Sequence, residues 1–214
     1  MNRIVTISAL VFLAMTGSAL ATVSTIYEYN FTPGANGNGL SDLNHDKYYK
    51  WGINWSLPQG QDLLDATFSV EKIKNWRTET NYLYLHLLPD ATAGVTSYGD
   101  NQNTFYDNFL NGGNLPNKHL HTWQNIPATY IPLTYAFDSD PNDNGTEMAA
   151  LATYVANGNF GIGLDPDCYY SDSGMKFQIR TIEYGTPPVP EPLTIVGAMM
   201  GLGGIGGYIR RRLA

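Results

Sequence analysis

The chain has 214 residues, with 12 Lys and Arg against 19 Asp and Glu, a net charge of −7 and a pI near 4.9. This acidic balance argues against nucleic acid as a partner, because phosphate binding needs a basic surface. A content of 43% apolar residues is enough to bury a core, and the single cysteine, Cys168, excludes an intramolecular disulfide framework and any multi-cysteine zinc site.

The N-terminus has the order of a secretory signal peptide. A positive start at Arg3 precedes an apolar run over residues 4–15, and a small-x-small site follows at Ala19 and Ala21. We expect signal peptidase to cleave after Ala21, so that residues 1–21 are the signal peptide. The alternative is a retained membrane anchor, for which the run is short, since a bilayer needs roughly 20 apolar residues.

Residues 22–185 are predicted to form short strands separated by turns. Tyr49, Trp51, Ile53 and Trp55 alternate with polar or small residues, which directs an aromatic face to a core. Residues 82–88 are apolar on both faces, which indicates a strand covered on both sides. The other predicted strands are 24–31, 67–71, 118–123, 129–137, 160–165 and 175–183.

The turns between these strands are rich in Gly, Asn and Pro. About eight short strands with such turns predict an all-β fold, an antiparallel β-sandwich of the jelly-roll type. One helix is expected over residues 147–156, with Asn144 and Glu147 at the spacing of a capping box and Asn157-Gly158 as its stop. We expect it to pack across one open end of the sandwich.

The loop before this helix is the best candidate for a calcium site. Calcium prefers six to eight oxygen ligands, which acidic and amide side chains supply when they recur at every second residue. The twelfth position of an EF-hand loop would be Leu151, so its glutamate ligand is missing. The alternative is an Asx-rich turn that caps the helix without metal. The candidate calcium ligands are Asp138, Asp140, Asn142 and Asn144, with Asp165 and Asp167 as further members, unless these two only turn the chain.

His119 and His121 have strand spacing, which predicts two imidazoles on one face that zinc could use. A third ligand would have to come from His86, His45 or a carboxylate. The alternative is a pair of exposed polar positions on a strand. Cys168 is expected to be a buried or unreactive thiol, with an intermolecular disulfide as the alternative.

The sequence contains no nucleophile elbow, Walker loop or HExxH motif, and its many acidic residues select no glycosidase pair. We therefore expect a non-catalytic protein with no certain cofactor. Tyrosines and tryptophans fall within or beside the strands, and those not needed for the core are candidates for stacking on sugar rings.

The C-terminus carries a second targeting signal. Residues 186–192 form a Pro-rich linker, and residues 193–209 an uncharged stretch of about 26 Å as a helix, just short of a roughly 30 Å hydrocarbon core. Residues 210–214 are a basic tail, whose charge favours the cytoplasmic side. The motif residues are Val189, Pro190, Glu191 and Pro192, with Arg210, Arg211 and Arg212 after the stretch.

This C-terminus resembles the PEP-CTERM sorting signal, in which a Pro-Glu-Pro motif, a hydrophobic helix and an arginine cluster are recognised by an exosortase. The resemblance covers only about the last 26 residues and implies a Gram-negative bacterial protein. Such a protein is held transiently in the inner membrane by a transmembrane helix, cut near the motif, and delivered to the cell surface or an extracellular matrix. An ordinary C-terminal anchor is the alternative. The stretch 160–168, FGIGLDPDC, looks like one in other PEP-CTERM ectodomains of unassigned activity.

Together these features predict an exported surface or matrix protein whose β-sandwich binds or structures polysaccharide. The alternatives are a polysaccharide-acting hydrolase with an acidic pair and a calcium-stabilised structural or adhesive protein. Without Arg3, Glu191 and the three terminal arginines, the domain carries about −10. It should therefore avoid anionic polymers unless a cation bridges them.

Overall fold

The computed structural model describes residues 8–9, 24–34, 40–100, 106–111, 117–137 and 146–185. The chain divides into two units, of which the first consists of Met1–Ala9 and Thr25–Glu183. The second, Leu10–Ser24 and Tyr184–Ala214, lies almost entirely outside the described residues. The signal-peptide cleavage site, the Pro-rich linker, the apolar stretch and the basic tail all fall there or in other undescribed residues and stay predictions. No helix within the described ranges has the length and apolar character to cross a membrane.

The described part is mostly β-structure in two antiparallel sheets, as the turn and alternation pattern predicted. The strands are β1 (Ser8–Ala9), β2 (Ser24–Phe31), β3 (Asp42–Leu43), β4 (Lys47–Asn54), β5 (Gln61–Asn75), β6 (Tyr82–Leu88), β7 (Gly94–Gly99), β8 (Lys118–Gln124), β9 (Ile131–Ala136), β10 (Asn159–Pro166), β11 (Tyr170–Asp172) and β12 (Met175–Tyr184). Two helices, α1 (Asn108–Asn111) and α2 (Thr146–Ala156), complete the list.

The first sheet is built around the long strand β5. On one edge β5 pairs with β12 and then β11, and on its other edge with β9. Strand β2 continues the sheet beyond β12, β1 pairs with β2, and β3 pairs with β11. The second sheet has five strands in the order β7-β4-β10-β6-β8. The four pairings of the second sheet are antiparallel, and so are those of β5 with β9, β11 and β12, of β1 with β2 and of β3 with β11.

The two sheets bury one common core between them. Aromatic rings from opposite sheets meet there: Phe68 of β5 lies 6.2 Å from Trp123 of β8, and Phe160 of β10 lies 6.0 Å from Phe177 of β12. Tyr49, Trp51, Ile53 and Trp55 are all buried, as their alternation predicted. Burial of such large side chains contributes about 1.5–3 kcal/mol each, which makes this core the main source of stability.

Helix α2 begins one residue before the predicted helix and ends where predicted. It packs against β5 of one sheet and against β8 and β10 of the other. Glu147 in its first turn is buried and accepts a hydrogen bond from the Tyr135 hydroxyl, so its carboxylate is held against the core. The predicted cap, Asn144, lies outside the described residues.

The outer face of the second sheet is covered around β10. Phe160, Ile162 and Leu164 point into the core, and the alternating glycines between them face outward. At Gly163 an added Cβ would lie 2.7 Å from Cζ of Phe109 in α1, so only glycine lets this ring lie directly on the strand. This packing explains the FGIGLD pattern and places α1 over β6 and β10.

Candidate functional site

A cleft of about 480 Å³ lies where β5, β10 and β11 meet their connecting segments. Strand β5 ends at Asn75, β10 ends at Pro166, and β11 begins at Tyr170, so two connecting segments run side by side there. The volume falls in the range of small-molecule sites, about 300–1,000 Å³. The lining residues are His45, Asn75, Trp76, Arg77, Glu79, Asp167, Cys168 and Tyr169.

Backbone hydrogen bonds fix the two segments that carry this lining. The N–H of Trp76 donates to the carbonyl oxygen of Tyr169 at 2.9 Å, and the N–H of Asp167 donates to the carbonyl oxygen of Tyr82 at 3.0 Å. The first bond continues the pairing of β5 with β11, and the second continues the pairing of β10 with β6, beyond the strand ends. The cleft is therefore attached to rigid strands on both sides.

The buried side chain of Asn81 joins three parts of the chain by hydrogen bonds, and we call this arrangement the Asn81 clamp. Its Nδ2 donates to the carbonyl oxygens of Glu79 at 2.8 Å and Ile126 at 3.1 Å, and its Oδ1 accepts from the Ile126 N–H at 2.9 Å. The Tyr170 hydroxyl donates to the same Oδ1 at 2.9 Å. Because the side chain is 1% exposed, these bonds replace all of its hydration. They hold the segment that carries Glu79.

Two aromatic rings of the cleft are open to solvent. Trp76 is 73% exposed and Tyr169 is 46% exposed, although both belong to residue types that proteins normally bury. The Tyr169 ring lies 4.4 Å from the His45 ring, and its hydroxyl donates to Oδ2 of Asp46 at 3.5 Å. The Tyr169 ring is therefore oriented by its contacts with His45 and Asp46.

The floor of the cleft contains an unusual amide. Asn75 is 1% exposed, and among the described residues its side-chain amide forms no hydrogen bond of ordinary geometry, although it interacts with the Cys168 thiol and lowers the pKa of that thiol. A buried polar group without a partner costs about 1–3 kcal/mol.

Cys168 is buried in the cleft, as predicted for an unreactive thiol. Burial, and then the negative charge of Glu79, raises the pKa of the Cys168 thiol to about 11. The thiol stays protonated at neutral pH, and only the thiolate is a good nucleophile. Cys168 is thus a packing residue with a weak hydrogen bond to Oε1 of Glu79 at 3.6 Å.

Of the six candidate calcium ligands, only Asp165 and Asp167 lie within the described residues. Asp138, Asp140, Asn142 and Asn144 lie outside the described residues and stay predictions. The carboxylate of Asp165 is fully buried and accepts hydrogen bonds from the backbone N–H and the side-chain amide of Asn108, at 2.6 and 3.1 Å. Burial raises its pKa to about 7. Asp167 instead lines the cleft.

The prediction that His119 and His121 share a face is wrong, because β8 contains a bulge. His121 lies opposite Leu85 in the pairing with β6, but His119 lies opposite His86, so Leu120 is an extra residue. Adjacent residues of β6 point to opposite faces, and their partners do the same. His121 packs inward on Tyr135 and Trp123, whereas His119 lies outward beside His86 and Asp107.

Sequence reasoning missed Asp107, Arg77 and Glu79. Asp107 precedes a four-residue helix that carries no strong periodicity, and Arg77 and Glu79 lie in a polar segment that reads as an ordinary turn. Trp76 in that polar segment was the available signal, because a large aromatic outside any alternation has no predicted place in the core.

Comparisons with protein-family models and with curated proteins find no match for this chain.

Proposed function

We propose that this protein is an exported cell-surface or extracellular-matrix protein whose jelly-roll-like β-sandwich binds polysaccharide, without catalysis, in the cleft beside Trp76 and Tyr169. The observation that carries the proposal is one combination. Two exposed aromatic rings, those of Trp76 and Tyr169, line one cleft together with the polar side chains of Arg77 and Glu79.

The chemistry of a sugar fits both parts of this cleft. A pyranose has an apolar face of C–H groups that stacks on an aromatic ring, and a rim of hydroxyls that donate and accept hydrogen bonds. Trp76 and Tyr169 offer the rings, and Arg77 and Glu79 offer donors and acceptors. Rings already exposed and oriented lose little conformational entropy on binding, which favours affinity.

The charge of the domain narrows the class of polymer. The domain carries about −10, and two carboxylates, Glu79 and Asp167, lie in the cleft beside one arginine, Arg77. Anionic polymers would be repelled by this charge. Neutral polysaccharides are therefore the proposed ligands.

The cellular location in this proposal rests on the sequence. The signal-peptide pattern that ends at Ala21 directs export. The resemblance of residues 189–212 to a PEP-CTERM signal implies recognition by an exosortase and transient attachment to the inner membrane. An extracellular destination would expose the cleft to the polysaccharides of the matrix.

A glycan array probed with the purified full-length chain tests the binding. We expect binding to neutral glycans and none to uronic-acid or sulfated ones, and no release of reducing ends from the bound polymers. Absence of binding at millimolar sugar would contradict the proposal.

A hydrolase is the second candidate, and one observation favours it. Glu79 and Asp167 are two carboxylates that line the same aromatic cleft, and glycosidases use two carboxylates about 5–9 Å apart. If the protein cleaves the glycan it binds, Glu79→Gln should abolish the release of reducing ends while binding persists. Binding without release by the wild type would reject this candidate.

A further inference from the structure

Three side chains with metal-binding atoms converge on the outer face of the second sheet. His86 lies in β6, His119 in β8, and Asp107 directly before α1. One ring nitrogen from each histidine and one carboxylate oxygen lie within 4.8 Å of one another. None of these residues lines the aromatic cleft, so this cluster is independent of the proposed function.

Tertiary structure, rather than sequence spacing, forms the cluster. The bulge in β8 turns His119 to the same face as His86, with the ring centroids 5.1 Å apart. Asp107 is held by its Oδ1, which accepts the N–H of Phe109 at 3.0 Å. Its Oδ2 is then directed to Nε2 of His86, 2.8 Å away. The Phe109 ring packs on the His86 ring at 4.9 Å and closes one side.

Burial makes this arrangement costly for a purely structural role. His86 is fully buried and Asp107 is 5% exposed. Nδ1 of His86 has no hydrogen-bond partner among the described residues. Only one of the two ring nitrogens is therefore satisfied, and apolar residues in place of this histidine and aspartate would avoid the cost of a buried nitrogen without a hydrogen bond.

The surrounding contacts are those that orient ligands at metal sites. Nε2 of His119 contacts Oγ1 of Thr122 at 2.8 Å, which leaves Nδ1 as the ligand nitrogen when Nε2 carries the proton. Asn108, next to Asp107, is tied to the buried carboxylate of Asp165 by two hydrogen bonds. Asp165 thus acts as a positioning residue for the segment that carries Asp107.

We propose that His86, Asp107 and His119 bind one divalent first-row transition-metal ion, with zinc as the best fit. Imidazole nitrogens and a carboxylate oxygen suit zinc, which bonds them at about 2.0–2.2 Å, whereas calcium prefers oxygen ligands alone. Tetrahedral bonds of this length place ligand atoms about 3.4 Å apart, so Nε2 of His86 and Oδ2 of Asp107, now 2.8 Å apart, separate slightly on binding and His119 adjusts to them. Three protein ligands leave the fourth position to water or to an oxygen of another molecule.

Zinc titration of the purified full-length chain tests this site. The protein, without a histidine tag and after removal of metal with EDTA, is titrated with a zinc salt in competition with a chromophoric chelator. We expect one equivalent to bind and to raise Tm by mass action. Cobalt(II) in place of zinc should give the visible absorption of a low-coordinate nitrogen and oxygen site.

Two variants and one control assign the ligands. His119→Ala and Asp107→Asn should each weaken zinc binding at least about tenfold, since each loses one of three ligands. His45→Ala removes a histidine outside the cluster and should leave the affinity unchanged. His119 is only partly buried, so His119→Ala decides the matter if Asp107→Asn fails to fold.

Three results would each overturn the proposal. Wild-type protein that binds no zinc at micromolar concentration would exclude the site, and so would unchanged affinity in His119→Ala. Displacement of zinc by millimolar calcium would also reject it, because the ligand set would then not be the one described. Loss of glycan binding in a Trp76 variant with intact zinc binding would leave this proposal standing.

Discussion

The backbone N–H of Trp76 donates to the carbonyl oxygen of Tyr169 at 2.9 Å, which joins the residues that carry the two exposed rings of the cleft. Trp76 follows the end of β5, and Tyr169 precedes the start of β11, which pairs with β5. The backbone positions from which the two rings project are thereby fixed by the sheet itself. A binding surface on such a support is preorganised.

The Asn81 clamp predicts a large loss of stability in Asn81→Ala. This change removes hydrogen bonds to two backbone segments and to Tyr170 and leaves buried partners unsatisfied, which costs about 2–4 kcal/mol. Urea denaturation of both proteins measures the difference. Asn54→Ala, at an exposed position of β4, is the control and should change stability by less than about 0.5 kcal/mol. Equal stabilities of Asn81→Ala and wild type would contradict the clamp.

Close packing of α1 on β10 predicts that Gly163→Ala is destabilising. The new Cβ would lie 2.7 Å from the Phe109 ring and force it from the strand, at a cost of about 1–3 kcal/mol. Because Phe109 also fixes Asp107 through its N–H, the variant should bind zinc more weakly too. Gly99→Ala meets no atom within 4 Å among the described residues and is the matched control. A Gly163→Ala protein as stable as this control would show that α1 is not packed as described.

The partly buried carboxylate of Asp172 predicts that stability falls as the pH rises. Burial raises the pKa of Asp172 to about 7, whereas an unfolded aspartate titrates near 3.9. Below about pH 4 both states are protonated and the group has no effect. Between about pH 4 and 7 the unfolded chain releases the proton first, so this group lowers the free energy of unfolding as the pH rises.

Asp172→Asn tests this dependence. Asparagine keeps the Oδ1 acceptor for the Gly174 N–H at 3.0 Å but cannot ionise. We expect a gain of about 1–2 kcal/mol at pH 8, discounted because Asp172 is partly exposed, and no gain at pH 4. Thermal melts at the two pH values measure it, with the exposed Asp62→Asn as control. The same gain at both pH values would contradict the assignment to ionisation.

The sorting signal predicts the fate of a Glu191→Ala variant. If an exosortase recognises the Pro-Glu-Pro motif, the variant should accumulate uncut in the membrane fraction of the natural host. Immunoblots of membrane and extracellular fractions report the processing. Glu71→Ala, an exposed position of β5, should be processed as wild type. Normal release of Glu191→Ala would refute the exosortase proposal.

The sequence pattern of apolar and polar residues predicted those strands in which the pattern is unbroken from end to end. The bounds of β2 and β6 were predicted to the residue, because each is a continuous apolar or alternating run. Strand β5 was predicted only over 67–71, since Glu71 and Lys72 are both exposed at an irregularity and break the pattern before Ile73 returns to the core. Strand β7 was missed because its residues are mostly exposed and small or polar.

The sites were less predictable, because they depend on contacts between distant residues. His119 and His121 alternate perfectly in the sequence, and only the pairing with β6 reveals the bulge that separates them. Asp107 and His86 are 21 residues apart in the sequence and are hydrogen-bonded in the structure. Asp107 directly precedes the short helix α1, which has no recognisable sequence signature. The aromatic content predicted a sugar-binding face in general, but which rings remain exposed depends on the packing of the whole core.

The most direct test of the proposed function compares two exposed aromatic residues in equilibrium binding to the neutral glycan found on the array. Trp76→Ala removes a ring of the cleft, and Tyr130→Ala removes a 53% exposed ring that lies outside it. Isothermal titration should show a loss of about tenfold or more for Trp76→Ala, as expected for a central aromatic contact, and no change for Tyr130→Ala. Equal affinities of Trp76→Ala and wild type would contradict binding in this cleft.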